Sequence, residues 1–188
     1  MPLRQSSVTI DTNYCAIGLS NPKTPSNVGS VLRACQCFSA DAVFYTGNRY
    51  NHAMKFNTDT SKSDNPVPLT HTGNLTDAIN AVDACIICVE LVENATALPS
   101  FVHPPRGVYV FGPEDSNLSQ EVIDCADQVV FIPTNGCLNL AASVNLVLYD
   151  RAMKRSAPAS PAQNNALVRN SRDCRNNLKV KATAGNPT

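Results

Sequence analysis

The chain has 188 residues, 43% of them hydrophobic, which is enough apolar material for one domain with a real core. Lys plus Arg number 15 and Asp plus Glu number 15. That balance excludes the global positive field common in nucleic-acid binders, so any RNA contact must come from a local patch. There is no run of about 18 apolar residues, so no membrane-spanning helix is expected.

Eight cysteines would suit a disulfide-stapled secreted chain. The opening MPLRQSSVTIDTNY, however, has no apolar signal core. The expectation is a reducing, cytoplasmic setting with free thiols.

Tyr14 to Leu19 is a short apolar run and predicts a buried first strand. Turn residues from Ser20 to Asn27 predict a loop, with Ser26 or Asn27 capping a helix from Val28 to about Phe38. That helix directs Val31, Leu32 and Cys35 to a core. Gly29 lets something approach its first turn, and Arg33 lies one turn further on. Ala42 to Tyr45 predicts a second strand. Gly47 to Pro68 is polar and predicts a long loop, functional or mobile, with one helical turn. Leu75 to Val82 predicts a helix capped by Asn74 or Thr76, and Ala84 to Val89 a further buried strand. Glu90 to Arg106 reads as irregular.

Val108 to Phe111 and Val129 to Ile132 predict two more strands, separated by a short amphipathic segment. The turn Pro133 to Gly136 opens a long helix from about Leu138 to Arg155. Strands alternating with helices imply an α/β fold with a mainly parallel sheet flanked by helices. In such a sheet the strand-end loops gather at the carboxyl edge, where ligands bind.

Beyond Tyr149 the composition turns basic, with Arg151, Lys154, Arg155, Arg169, Arg172, Arg175, Lys179 and Lys181 against Asp173. The expected organisation is a folded domain over 1–155 and a basic, weakly structured tail over 156–188. The tail reads either as a solvated terminus or as an arm gathering RNA phosphate.

Cys35-x-Cys37 and Cys85-x-x-Cys88 do not make a zinc site. Cys85 and Cys88 fall within one strand on opposite faces, and His52, His71 and His103 are scattered. No metal is expected. Nucleophile-elbow, Rossmann and P-loop patterns are missing. Three polar stations remain at strand ends: Asn27-x-Gly29-x-x-x-Arg33, Phe111-Gly112-Pro113-Glu114 and Cys137-Leu138-Asn139-Leu140.

In order and spacing these stations resemble the SPOUT superfamily of RNA methyltransferases, in particular its SpoU or TrmH-like group. The family's N-x-G-x-x-x-R stands here as Asn27 to Arg33. Its apolar strand ending F-G-x-E stands as Val108 to Glu114. Its I-P, L-N and apolar helix stand as Ile132-Pro133 and Leu138 to Val144. One departure is Cys137, where the family usually has Ser; cysteine is a poorer hydrogen-bond donor.

The resemblance covers about Tyr14 to Lys154, and the chain reads as a minimal catalytic domain with an added basic tail. It implies a deep C-terminal trefoil knot, bound S-adenosylmethionine, and methyl transfer to a ribose 2′-hydroxyl. The alternative is an RNA-binding protein of this fold with weak or no turnover. Val89, Glu90, Gly112, Ile132, Cys137, Leu138 and Leu140 would hold the cofactor. Arg33 would stabilise the developing alkoxide or position a phosphate, since a guanidinium is a poor base. Asn27, Glu114 and Asn139 would orient loops and substrate, with Glu114 fixing either Arg33 or a backbone amide. The implied partners are RNA, transfer RNA before ribosomal RNA, and a second copy of the chain, with Arg33 near the shared interface. The sequence gives no reason to expect a membrane partner.

Overall fold

The computed structural model describes residues 13–54, 67–172 and 178–180. Among them lie seven strands: β1 (Tyr14–Leu19), β2 (Ala42–Tyr45), β3 (Leu69–His71), β4 (Cys85–Val89), β5 (Thr96–Ala97), β6 (Arg106–Phe111) and β7 (Gln128–Phe131). The helices are α1 (Pro25–Cys37), α2 (Arg49–Met54), α3 (Leu75–Asn80), α4 (Gln120–Asp124), α5 (Leu140–Arg155) and α6 (Pro161–Asn170). The strands form one sheet in the order β3-β2-β1-β6-β4-β7-β5, with every pairing parallel.

The expected α/β fold with a parallel sheet is therefore what forms. Each central strand is apolar on both faces, as a sheet covered by helices on both sides requires. Ile17 and Leu19 of β1, Tyr109 and Phe111 of β6, and Ile87 and Val89 of β4 pack on one side with α1 and α5. Ala16, Val108, Val110, Ile86 and Cys88 pack on the other with Leu75 and Ile79 of α3. Burial pushes the Cys35 and Cys88 thiols up to about 12 and Cys85 up to about 11. All three stay protonated near neutrality. Among the described residues no cysteine forms a disulfide.

Register decides where a site can be. His71, Tyr45, Leu19, Phe111, Val89, Val130 and Thr96 are Cα partners in one continuous row across the sheet. The loops that leave the strands at or just past this row therefore share one carboxyl edge. The polar stations follow β1, β6 and β7, the first of them on the opening turns of α1.

At the amino edge the sheet is closed by side chains of α5. The Arg151 guanidinium donates to Tyr14 O at 3.2 Å and Pro105 O at 2.9 Å. Asp150 accepts from His103 Nε2 at 2.8 Å and from Lys154 Nζ at 2.6 Å. The Tyr109 hydroxyl meets His103 Nδ1 at 2.6 Å. One tautomer satisfies both ring contacts: Nε2–H donates to Asp150 while Nδ1 accepts from Tyr109. Lys154 also donates to Leu98 O and Phe101 O, at 2.6 and 3.1 Å.

Several boundaries differ from the sequence reading. Helix α1 starts at Pro25 with Thr24 as its N-cap, rather than at Val28 capped by Ser26 or Asn27. Proline at the first helical position presets φ and lacks an N–H that would go unpaired there. Helix α5 starts at Leu140, because the Asn139 side chain caps it by accepting from Ala141 N at 2.9 Å. Asn74 is the cap of α3, accepting from Thr76 N at 2.8 Å. The helical turn expected within 47–68 is α2; the long loop expected there falls largely outside the described residues. Strands β3 and β5 and the 3-10 turn Leu98–Ser100 were not anticipated.

The chain divides into two units between Lys154 and Arg155. Within the second, where weak structure is expected from composition, Pro161–Asn170 forms a helix. Its N-terminus carries a capping box between Ser160 and Gln163.

Candidate functional site

A cavity of about 470 Å³ opens at the carboxyl edge, within the range of small-molecule sites. Its walls come from the loops after β4, β6 and β7 and the first turn of α5. All seven positions expected to hold a cofactor line it: Val89, Glu90, Gly112, Ile132, Cys137, Leu138 and Leu140. Glu114 and Asn139 line it too.

Asn27 joins these segments from α1. Its Nδ2 donates to Glu114 Oε1 at 3.0 Å, and its Oδ1 accepts from Asn139 Nδ2 at 3.0 Å. One amide thus ties together residues 87 and 112 positions away in the chain. The Glu114 carboxylate also accepts from Lys23 N at 2.8 Å and Thr24 N at 2.9 Å. Of the two roles the sequence allowed Glu114, the contacts are those of a clamp on backbone amides. Its burial works to raise its pKa, but donation from Asn27, Lys23 and Thr24 outweighs that and holds it below the ordinary carboxylate value. The clasp is therefore ionised at neutral pH.

Glu90 performs a similar task on the opposite wall. Its Oε1 accepts from Leu91 N at 2.9 Å and its Oε2 from Leu118 N at 3.0 Å. This loop explains Gly112 directly. A Cβ there would sit 3.1 Å from Leu118 N and 3.3 Å from Glu90 Oε2, so a side chain would push against the strap that folds over the strand end. At Gly29 and Gly136 a Cβ would meet nothing within 4 Å.

The pocket mixes apolar walls with exposed loop backbone. Phe111 and Leu140 are buried, while Leu91 and Leu138 are 56% and 39% exposed at its mouth. Such a lining suits a flat heterocycle recognised by main-chain donors and acceptors. Arg33 is not part of the lining; it stands on the exposed side of α1. Among the described residues no group of three or more His, Cys, Asp or Glu gathers as metal ligands, and no helix is long and apolar enough to cross a membrane.

Sequence reasoning missed Lys23 and Thr24, because they act through backbone amides that leave no side-chain signature. It also missed Phe111, Leu91 and Ser143 as wall residues. Phe111 could have been found, since it ends its strand as Val89 does.

Residues 14–149 match the model of the SpoU rRNA Methylase family. The chain belongs to this family. Among curated relatives it is similar to the tRNA (cytidine-2'-O-)-methyltransferase TrmJ of Sulfolobus acidocaldarius, 26% identical over 144 residues, covering 69% of this chain and 61% of TrmJ. The chain thus spans about three-fifths of that relative's length.

Among solved structures of SpoU type, it is similar to the methyltransferase AviRb from Streptomyces viridochromogenes in complex with the cofactor AdoMet. The TM-score is 0.59 at 18% identity, covering 82% of this chain and 60% of AviRb. It is also similar to the A. aeolicus TrmH/SpoU tRNA modifying enzyme, with TM-score 0.59 at 15% identity, covering 86% of this chain and 89% of that one. At these identities the structural likenesses establish the SpoU fold.

Proposed function

We propose that the chain is an S-adenosylmethionine-dependent RNA methyltransferase that acts on a ribose 2′-hydroxyl of transfer or ribosomal RNA. One observation carries the reading: the Asn139–Asn27–Glu114 clasp brings the three motif segments of a SpoU-family chain to the rim of one pocket.

The residues present fit the cofactor. Val89, Ile132, Leu138 and Leu140 supply apolar walls, and the loop following Gly112 offers exposed backbone. When bound, S-adenosylmethionine supplies an electrophilic methyl on a sulfonium, activated by its own chemistry. The protein must hold the ribose oxygen in line and favour loss of its proton. Asn27, Glu114 and Asn139 keep the loops in that geometry. Arg33 stabilises charge developing on the oxygen, or positions a neighbouring phosphate, without acting as a base.

Arg33 lies off the pocket of its own protomer, so we assign it to the acceptor side of a homodimer, where it can serve the partner's pocket. An apolar stripe on α5 supports that assembly: Leu146, Tyr149 and Met153 are 42%, 55% and 50% exposed. It borders α1, since the Phe38 ring meets the Tyr149 ring edge-on at 6.4 Å. The passage of β6, β7 and α5 is proposed to form the family's trefoil knot. The support is that Asn139, the cap of α5, reaches back to Asn27. The catalytic domain is assigned to 1–155 and the basic segment 156–188 to RNA contact, in the cytoplasm. Transfer RNA is placed ahead of ribosomal RNA on the name of the TrmJ relative, against a family whose description names rRNA.

The test is transfer of labelled methyl from S-adenosylmethionine to tRNA and rRNA transcripts, together with calorimetric titration of the cofactor. Absence of cofactor binding would overturn the reading. Cofactor binding without transfer to any transcript would favour the second one, an RNA-binding protein that has lost turnover. Cys137 at the pocket wall, where the family usually has serine, motivates keeping it.

A further inference from the structure

Beside the pocket lies an open groove of about 780 Å³, lined by Asn21, Lys23, Gly47, Asn48, Arg49 and His52. It is built from the loops after β1 and β2 and the first turn of α2, so it faces from the same sheet edge. Its floor is fixed. Gly47 has φ +71°, and a Cβ there would lie 2.1 Å from Asn21 Oδ1. Only glycine lets Asn21 occupy that place. His71 Nε2 meets Gly47 O at 3.0 Å and holds the loop from beneath.

Its cations are organised around one anion. Arg49 grips Asp115 with both prongs of its guanidinium, at 2.9 Å (Nη1–Oδ1) and 2.7 Å (Nη2–Oδ2). Lys23 Nζ reaches Asp115 Oδ2 at 3.3 Å. Two cations share the Asp115 carboxylate, with the Glu114 carboxylate close enough to act on Arg49, so Arg49 and Lys23 are open to a phosphate once Asp115 is displaced. All three partners are solvent-accessible, with side-chain exposures of 59% for Lys23, 31% for Arg49 and 47% for Asp115. Exposed ion pairs are usually weak; the bidentate geometry puts this one among the stronger of them, yet its exposure leaves it open to exchange with an anion from solvent. The guanidinium fork fits a phosphate as well as a carboxylate. Lys23 links the groove to the pocket, for its backbone N–H is one of the donors that clamp Glu114.

We infer that this groove is a phosphodiester subsite for the RNA strand carrying the target ribose, in which a backbone phosphate replaces the Asp115 carboxylate on Arg49 and Lys23. The inference rests on the methyltransferase reading. It adds the residues that hold the strand beside the methyl donor. Because the chain is neutral overall, phosphate affinity has to come from local clusters such as this one and the basic segment 156–188.

The test uses the full chain and an unmodified tRNA transcript, with RNA affinity measured over a salt series and cofactor affinity measured separately. Arg49→Ala should raise the RNA Kd about tenfold and reduce the log–log salt slope by about one, with cofactor Kd unchanged. Arg49→Lys should fall between, keeping charge without the fork. Asp115→Asn removes the competing anion and should tighten RNA binding about two- to threefold. Wild-type RNA affinity and salt slope in Arg49→Ala would overturn the subsite. So would weakened RNA binding in Asp115→Asn, which would make the three residues a structural brace. If the wild-type chain binds no S-adenosylmethionine while Arg49→Ala still loses RNA, the activity fails and the subsite stands.

Discussion

At its amino end, α5 is tied to α1 through Asn139, which bonds Asn27 and caps its own helix. At its carboxyl end, it meets the sheet through Asp150, Arg151 and Lys154, which bond His103 and the carbonyls of Tyr14, Pro105, Leu98 and Phe101. Both ends are polar networks under an apolar rod, but Asn139 and Glu114 line the cavity of about 470 Å³, whereas His103, Asp150 and Arg151 line none of the cavities described. At the carboxyl edge of the sheet the partners are loop residues that stand apart and leave space between them. At the amino edge, His103 and Arg151 are 6% and 7% exposed, and their groups fill the space they bond across. A buried histidine with a carboxylate and a tyrosine has the composition of an active site. Here, buried and engaged at both ring nitrogens, it is a fastening. What separates chemistry from structure in this molecule is vacant volume beside the polar groups.

Substitutions at the two ends should separate accordingly. The largest effect is expected from Arg33→Ala, which should lower turnover by about 10²–10³-fold with little change in cofactor Kd. Equal losses in both would make Arg33 structural. Next is Asn27→Asp, which replaces the amide donor facing Glu114 Oε1 at 3.0 Å with a second carboxylate. Like charges at that distance should loosen the clasp and weaken cofactor binding about 10- to 100-fold, with Asn27→Ala milder. Titration calorimetry at pH 7.5 reads both variants, and unchanged affinity in Asn27→Asp would detach the clasp from the pocket.

At the other end, His103→Leu should cost roughly 1–3 kcal/mol of stability by removing a buried hydrogen-bond partner from the Tyr109 hydroxyl and from Asp150, which keeps Lys154. That corresponds to a fall in Tm of roughly 2–4 °C per kcal/mol, while methyl transfer below the melting range stays at the wild-type rate. The same site predicts a pH dependence. Burial lowers the His103 pKa, and the nearby Asp150 carboxylate only partly offsets it. The unfolded chain therefore binds the proton more readily than the folded one. Stability from this source is complete above the unfolded value of about 6.5 and is lost as pH falls through the folded value. In His103→Leu the Tm should lose that part of its fall below pH 6.5. The smallest effect is expected from deleting 157–188, which should weaken RNA binding and flatten its salt dependence without altering cofactor Kd.

The sequence was informative wherever a residue's role is set by its neighbours in the chain. Tyr14 to Leu19 and Ala42 to Tyr45 are strands with the bounds their apolar runs suggest. The three stations were legible as a set because Asn27, Glu114 and Asn139 are the side chains that bond one another. The start of α1 was misread for the same reason. Local rules make Asn27 a cap, but its amide is engaged by two residues from distant parts of the chain. The edge strands β3 and β5 were illegible because Leu69–His71 and Thr96–Ala97 have almost no apolar pattern, and their pairing comes from β2 and β7. Helix α6 was overlooked although Ser160-Pro161-Ala162-Gln163 spells a capped start.

The outermost strands of the sheet are its shortest, three residues in β3 and two in β5. A parallel sheet whose neighbours lie far apart in sequence assembles slowly, and its margins stand open while it does. Margins this brief offer a passing chain few free amide and carbonyl groups to zip onto. The fold thereby limits self-association at the place where such sheets are most exposed to it, without a charged or proline-bearing guard on either rim strand.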